Sequence, residues 1–136
     1  MIATIGDALV VDVWREADAG RARRAATALA EALGFGLTPR MEVGIAVSEL
    51  AHNLVWHTSG GSVTLRRIAQ GERIGVEVVC QDQGPGIADI QQAMQDGFST
   101  TGSLGCGLPA VPRLMDEFSI ESELERGTII VTRKWL

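Results

Sequence analysis

A two-layer α+β sandwich is the fold class this chain predicts, and three observations carry it. Pattern order along the chain is strand, helix, helix, two strands, short helix, helix, two strands. Strands grouped apart from helices favour one sheet covered by a helical layer over alternating βαβ units. With 136 residues, 46% of them hydrophobic, the chain suits a single domain spanning 1–136 with a real core.

Residues 7–15 hold Leu9, Val10, Val11 and Val13 and predict the first strand. Asp18 is a cap candidate for a helix that runs to Gly34, with Arg21, Arg23 and Arg24 on its solvated side. Thr38-Pro39 opens a second helix, Thr38 as N-cap and Pro39 at the first helical position. Val43, Val47, Leu50 and Leu54 form its buried stripe, and Gly60-Gly61 ends the region.

Residues 62–69 and 73–81 then predict a hairpin turning at Gln70-Gly71-Glu72. Ile74, Val76, Val78 and Cys80 alternate onto one face, and Asp82 continues that row. Residues 88–103 are more polar and predict a short helix and a loop. Residues 108–115 predict a helix with Pro109 in its first turn. Residues 118–124 and 128–135 read as closing strands around a turn at Glu125-Arg126-Gly127.

Composition removes several function classes. A net charge of -5 argues against broad binding to a nucleic-acid backbone. No apolar stretch approaches the roughly 20 residues of a membrane span, and no signal peptide is visible. Two cysteines, Cys80 and Cys106, make no disulfide framework, so a cytoplasmic setting is expected. Lys134 is the only lysine, so a Walker-type phosphate loop, which needs a lysine after its glycines, is excluded.

Four short segments carry chemistry. Glu49 and Asn53 lie one helical turn apart and share a face beside the apolar stripe. An amide oxygen is a hard ligand suited to Mg²⁺, and Glu49 is placed to orient or deprotonate an attacking hydroxyl. Read alone, the pair is a solvated glutamate and a helix-surface asparagine. Asp82 follows four core-facing positions, where a carboxylate needs a hydrogen-bond donor such as the exocyclic amine of adenine. Asp-x-Gly-Pro-Gly is also good turn chemistry, and that reading stays open.

The stretch Gly102-Ser103-Leu104-Gly105-Cys106-Gly107-Leu108 leads directly into a helix. Its glycines let backbone N–H groups approach phosphates, and the helix N-terminus favours negative charge. Thr100, Thr101 and Ser103 add hydroxyls. Thr128, after Gly127, offers a hydroxyl to Asp82 or to a water on the base; alone, it is a strand threonine after a turn.

Taken together, these residues resemble the GHKL (Bergerat-fold) ATPase and kinase superfamily. The run from Glu49 to Asn53 looks like its N box, and Asp82 with Gly84, Gly86 and Ile87 like its first glycine box. Gly102 to Leu108 looks like its second box and Gly127-Thr128 like its last. Within it the chain is most similar to the RsbT-type switch serine/threonine kinases. Ser48-Glu49-Leu50-Ala51-His52-Asn53, Gln83-Gly84-Pro85-Gly86-Ile87, Met94-Gln95-Asp96-Gly97-Phe98-Ser99-Thr100, Gly107-Leu108-Pro109, Arg113-Leu114-Met115-Asp116-Glu117-Phe118 and Lys134-Trp135 carry that closer match. The departures are His52 where those kinases have arginine, Ser103 for a glycine and Cys106 for a leucine.

The resemblance implies a mixed, mainly antiparallel sheet covered on one face by helices. It implies ATP/ADP and Mg²⁺ as cofactors, Glu49 as base and Asn53 as metal ligand. Asp82, Gly84, Gly86, Ile87, Thr100, Thr101, Gly102, Ser103, Leu104, Gly105, Cys106, Gly107, Leu108 and Thr128 would surround the nucleotide. It implies transfer of the γ-phosphoryl to Ser/Thr of STAS-domain scaffold or antagonist proteins in a stressosome-type partner switch. A downstream phosphatase or other output protein would then be the switch partner of a monomer or weak homodimer. An anti-sigma factor kinase that binds and inhibits a sigma factor is the alternative. A histidine-kinase catalytic domain and a binding module without catalysis are further alternatives.

His52 and His57, five apart, make a poor metal pair and are expected to be ordinary helix-surface histidines. Trp14, Trp56 and Trp135 are expected to pack rather than to stack on bases.

Overall fold

The computed structural model describes residues 1–82, 107–123 and 127–136. Five strands, β1 (Ala3–Val13), β2 (Gly61–Gln70), β3 (Arg73–Asp82), β4 (Glu117–Glu123) and β5 (Gly127–Trp135), form one sheet in the order β1-β2-β3-β5-β4. Every described pairing is antiparallel. Two long helices, α1 (Glu16–Leu33) and α2 (Leu37–His57), and a short α3 (Ala110–Leu114) complete the described elements. The core cluster joins α1, α2 and α3 to one sheet face, as the α+β sandwich requires.

The register explains which strand residues are buried. Val11, Val63, Cys80, Ile130 and Ile120 lie in one row across all five strands. Val78, with Leu65 and Thr132 beside it, forms the next row. Both rows point into the helical layer, where Val63, Leu65, Val78, Cys80 and Ile130 are buried. Ile74 begins the same alternation but stays half-exposed at the hairpin end.

All three described helices start at residues other than those the sequence reading gave; the last is Ala110–Leu114, with Pro109 as its N-cap and not in its first turn. Residue Arg15, not Asp18, is the N-cap of α1, and Asp18 stands at the third helical position. From there its Oδ2 accepts the N–H groups of Trp14 at 2.9 Å and Arg15 at 3.0 Å. Asp18 therefore caps the helix by reaching back over its first turn. Gly34 closes α1 as expected, with φ 100°.

Helix α2 starts at Leu37 with Gly36 as N-cap, so Thr38 and Pro39 lie inside its first turn. The first-turn N–H groups have no intrahelical partner, so proline costs nothing there. Its predicted stripe of Val43, Val47, Leu50 and Leu54 is buried. The first strand begins at Ala3, four residues earlier than expected, and ends at Val13. Its register shifts between Ile5 and Leu9, where Gly6 adopts φ 72°.

On the other sheet face Glu77 accepts from Arg66 Nη1 at 3.2 Å and Arg133 Nε at 2.9 Å. Arg133 Nη1 also donates to Glu117 at 3.1 Å, and the Trp135 indole N–H donates to the same carboxylate. Arg73 lies 4.2 Å over the Trp135 ring. Among the described residues, no helix is long and apolar enough to cross a membrane.

Candidate nucleotide site

Three chain segments converge at the C-terminal end of β3. Asp82 ends that strand on its core-facing row and is 4% exposed. On one side it pairs with Gly61 of β2. A Cβ on Gly61 would lie 2.1 Å from the Gln81 carbonyl oxygen and 3.0 Å from the Asp82 Cα. Only glycine lets β2 run this close to the carboxylate-bearing turn of the backbone. On the other side, the Gln81–Ile129 register carries Thr128 to the position beside Asp82. Thr128 is buried, and its hydroxyl bonds Ser122 Oγ at 2.9 Å.

Helix α2 supplies Glu49 and Asn53. Glu49 is 4% exposed and Asn53 half-buried, so both lie at the edge of the core and not on a fully solvated face. One contact ties this helix to β3: the Cys80 thiol donates to the Leu50 carbonyl at 3.8 Å. It joins the residue after Glu49 to the residue two before Asp82. Burial, with the nearby Asp82 charge adding to it, pushes the Cys80 thiol up to about 12.

The third segment arrives through Gly107. Its N–H donates to Glu49 Oε2 at 3.1 Å, and its φ is 81°. Leu108 and Val111 then bury into the core beneath α2. Glu49 and Asn53 of α2, Asp82 at the end of β3, Gly107 and Thr128 are thus built into one end of the sandwich.

Of the sequence-predicted residues, Glu49, Asn53, Asp82, Gly107, Leu108 and Thr128 fall in the described part. Gly84, Gly86, Ile87, Thr100, Thr101, Gly102, Ser103, Leu104, Gly105 and Cys106 lie outside the described residues, as does the expected helix over 88–103. Sequence reasoning missed Gly61 and Ser122. Gly61 had a signal, since it opens a strand and not a turn; Ser122 had none.

His52 takes a defined position beside Asn53. Its Nδ1 lies 2.8 Å from the Ser48 carbonyl, which only accepts, so Nδ1 carries the hydrogen. The ring stacks on Trp56 with centroids 4.5 Å apart. Trp14 packs over Gly60, where a Cβ would meet its ring at 2.3 Å. Among the described residues, no group of three or more His, Cys, Asp and Glu side chains forms a metal cage.

Comparison with known proteins identifies the family. Residues 14–134 match the model of the histidine kinase-like ATPase domain. The serine/threonine-protein kinase RsbT of Bacillus subtilis (strain 168) is 42% identical over 132 residues, covering 97% of this chain and 99% of that protein. The anti-sigma F factor of Thermoanaerobacter sp. (strain X514) is 31% identical over 121 residues, covering 85% of this chain and 83% of that one. A histidine kinase domain from the Erythrobacter litoralis EL346 blue-light activated histidine kinase superposes with a TM-score of 0.48 at 24% identity, over 88% of this chain and 59% of that one.

Proposed function

The chain belongs to the histidine kinase-like ATPase family, and from that membership we propose that it is an ATP-dependent serine/threonine-protein kinase acting in a partner switch. The observation that carries this reading is the pairing of a core-edge Glu49 with Asn53 on the helix that also anchors β3 beside Asp82. A kinase needs a base, and Glu49 places a carboxylate at the core edge beside Asn53. The likeness to RsbT over nearly the whole of both chains supports the same activity.

In this reading Asp82, at the core-facing end of β3, accepts a hydrogen bond from the adenine amine. Thr128 and Gly61 frame it. Gly84, Gly86 and Ile87 follow it around the base, and the backbone from Thr100 to Leu108 cradles the phosphates. Asn53 presents an amide oxygen, the hard donor that Mg²⁺ takes beside phosphate oxygens and water. Bound there, the ion would neutralise charge on the β- and γ-phosphates.

Glu49 then acts on the acceptor. Its carboxylate takes the proton of a Ser or Thr hydroxyl as that oxygen forms its bond to the γ-phosphorus. The bond from phosphorus to the β,γ-bridging oxygen breaks, and ADP leaves. The acceptors proposed are STAS-domain scaffold or antagonist proteins in a stressosome-type pathway, in the cytoplasm. After phosphorylation the kinase, a monomer or weak homodimer, moves to a downstream phosphatase or other output protein.

A second reading follows from the likeness to anti-sigma F factors: the same ATP site in a protein that inhibits a sigma factor by direct contact. Incubation with labelled ATP and purified STAS-domain proteins tests the first reading. Label on a Ser or Thr supports it. Stable co-purification with a sigma factor and no labelled STAS protein favours the second.

A further inference from the structure

We propose that Ser122 is a positioning residue for the base: it turns the Thr128 hydroxyl towards the nucleotide and so helps the site choose adenine over guanine. The inference rests on the reading of Asp82 as the contact of the adenine amine and goes further by naming what orders its neighbour. Ser122 of β4 pairs with Thr128 of β5, two positions along from the pair Ile120–Ile130. Ile130 is buried and Ile120 packs against the core, so Ser122 and Thr128 share that inner face. Thr128 in turn stands beside Asp82, and Gly61, on the far side of Asp82, brings no side chain. Ser122, Thr128 and Asp82 therefore form one polar row across three strands at the end of the sheet.

Two observations separate this pair from ordinary strand hydroxyls. The other threonine on the inner face of β5, Thr132, donates to the Glu117 carbonyl at 2.6 Å. A carbonyl only accepts, so that hydrogen is committed to the backbone. Thr128 instead meets a hydroxyl, Ser122 Oγ, at 2.9 Å, and a hydroxyl can donate in return. The second observation is the carboxylate one strand away. An ionised Asp82 only accepts, and its negative charge favours O–H dipoles that point along the row towards it. Ser122 then donates to Thr128, and the Thr128 hydrogen turns to the Asp82 side, where the edge of the base is read. Adenine offers an amine donor beside the N1 acceptor. Asp82 followed by a donating Thr128 complements that pair, directly or through one water. Guanine offers the reverse, a carbonyl acceptor beside an N1–H donor, and opposes both groups. Ser122 acts through Thr128, by committing the direction of its hydrogen.

Calorimetry with ATP and with 1-deaza-ATP, in which a C–H replaces the N1 acceptor, tests the proposal on the wild type, Ser122→Ala and Ser122→Thr. Both variants are small changes at a half-buried position, and an unaltered circular dichroism spectrum reports that they fold. The wild type is expected to bind ATP about five- to tenfold more tightly than 1-deaza-ATP, the size of one hydrogen bond. In Ser122→Ala that ratio is expected to fall to about twofold or less through weaker ATP binding, with 1-deaza-ATP affinity unaltered. Affinity for GTP relative to ATP rises in the same variant. Ser122→Thr keeps a hydroxyl and is expected to retain the wild-type ratio. A merely structural role for Ser122 weakens both nucleotides alike and leaves the ratio untouched. That result overturns the proposal, as does a wild-type ratio near one or loss of the ratio in Ser122→Thr. Failure of ATP to bind the wild-type chain removes the nucleotide reading and the proposal together. ATP binding by the wild type with an unchanged ratio in Ser122→Ala removes the proposal alone.

Discussion

Glu49 and Gly107 lie 58 positions apart in the chain and meet at 3.1 Å, the glycine N–H donating to the glutamate carboxylate. The contact joins α2 to the segment that leads into α3. It gives the buried Glu49 a polar partner and fixes where the Gly107 backbone enters the core.

In the proposed reading, base recognition depends on Asp82. Asp82→Asn keeps the shape but replaces one acceptor oxygen with a donor, opposite an amine that also donates. The expected loss is about 1.5–3 kcal/mol, or roughly 10- to 150-fold in ATP affinity, with the circular dichroism spectrum unaltered. Calorimetry with ATP and Mg²⁺ checks it, and unaltered affinity removes the adenine assignment.

Gly61→Ala tests the close approach of β2 to that carboxylate. The added Cβ would stand 2.1 Å from a main-chain oxygen that cannot rotate away. A stability loss of about 2 kcal/mol or more is expected from urea unfolding, together with weaker nucleotide binding. Gly71→Ala is the control. There φ is 61° but nothing lies within 4 Å, so the cost is about 1 kcal/mol. Equal effects at the two positions would contradict the packing argument.

Asp18 links stability to acid pH. The backbone N–H of Trp14, then that of Arg15, then the Arg21 guanidinium hold its carboxyl down at about 2, from 3.8. The ionised form is favoured in the folded chain, so its stabilisation is present above 3.8 and disappears as pH falls towards 2. Asp18→Asn should therefore melt below the wild type at pH 6, with the gap narrowing through this window. A gap independent of pH would show that the capping charge contributes nothing.

Cys80 should be inert in the folded protein. With its thiol pushed up to about 12 and buried, iodoacetamide at pH 8 should leave it unlabelled until urea is added. Mass mapping of the alkylated peptide reads this, and rapid native labelling would contradict the burial of the row that ends in Asp82.

Much of the fold was legible because periodicity reports burial directly. The alternation from Val76 to Asp82 and the stripe from Val43 to Leu54 are both as the sequence indicates. Element starts were less so. Asp18 caps from inside the first turn as well as a cap residue would, and proline is tolerated throughout that turn, so residue type alone did not set the boundary. The proposed site residues stand out in the sequence as a set of motifs. The bonds that join them do not: Cys80 to Leu50, Gly107 to Glu49 and Ser122 to Thr128 depend on register and packing between distant segments. The network of Arg66, Glu77, Arg133 and Glu117 was invisible for the same reason.

The central claim is that Glu49 acts on the acceptor and not on the nucleotide. The most direct measurement compares Glu49→Gln with the wild type for ATP affinity and for transfer of labelled phosphate to a STAS-domain acceptor. The predicted result is ATP affinity within about threefold of wild type, with transfer reduced by roughly 10²- to 10⁴-fold, the usual contribution of a general base. Transfer by Glu49→Gln at the wild-type rate would contradict the account.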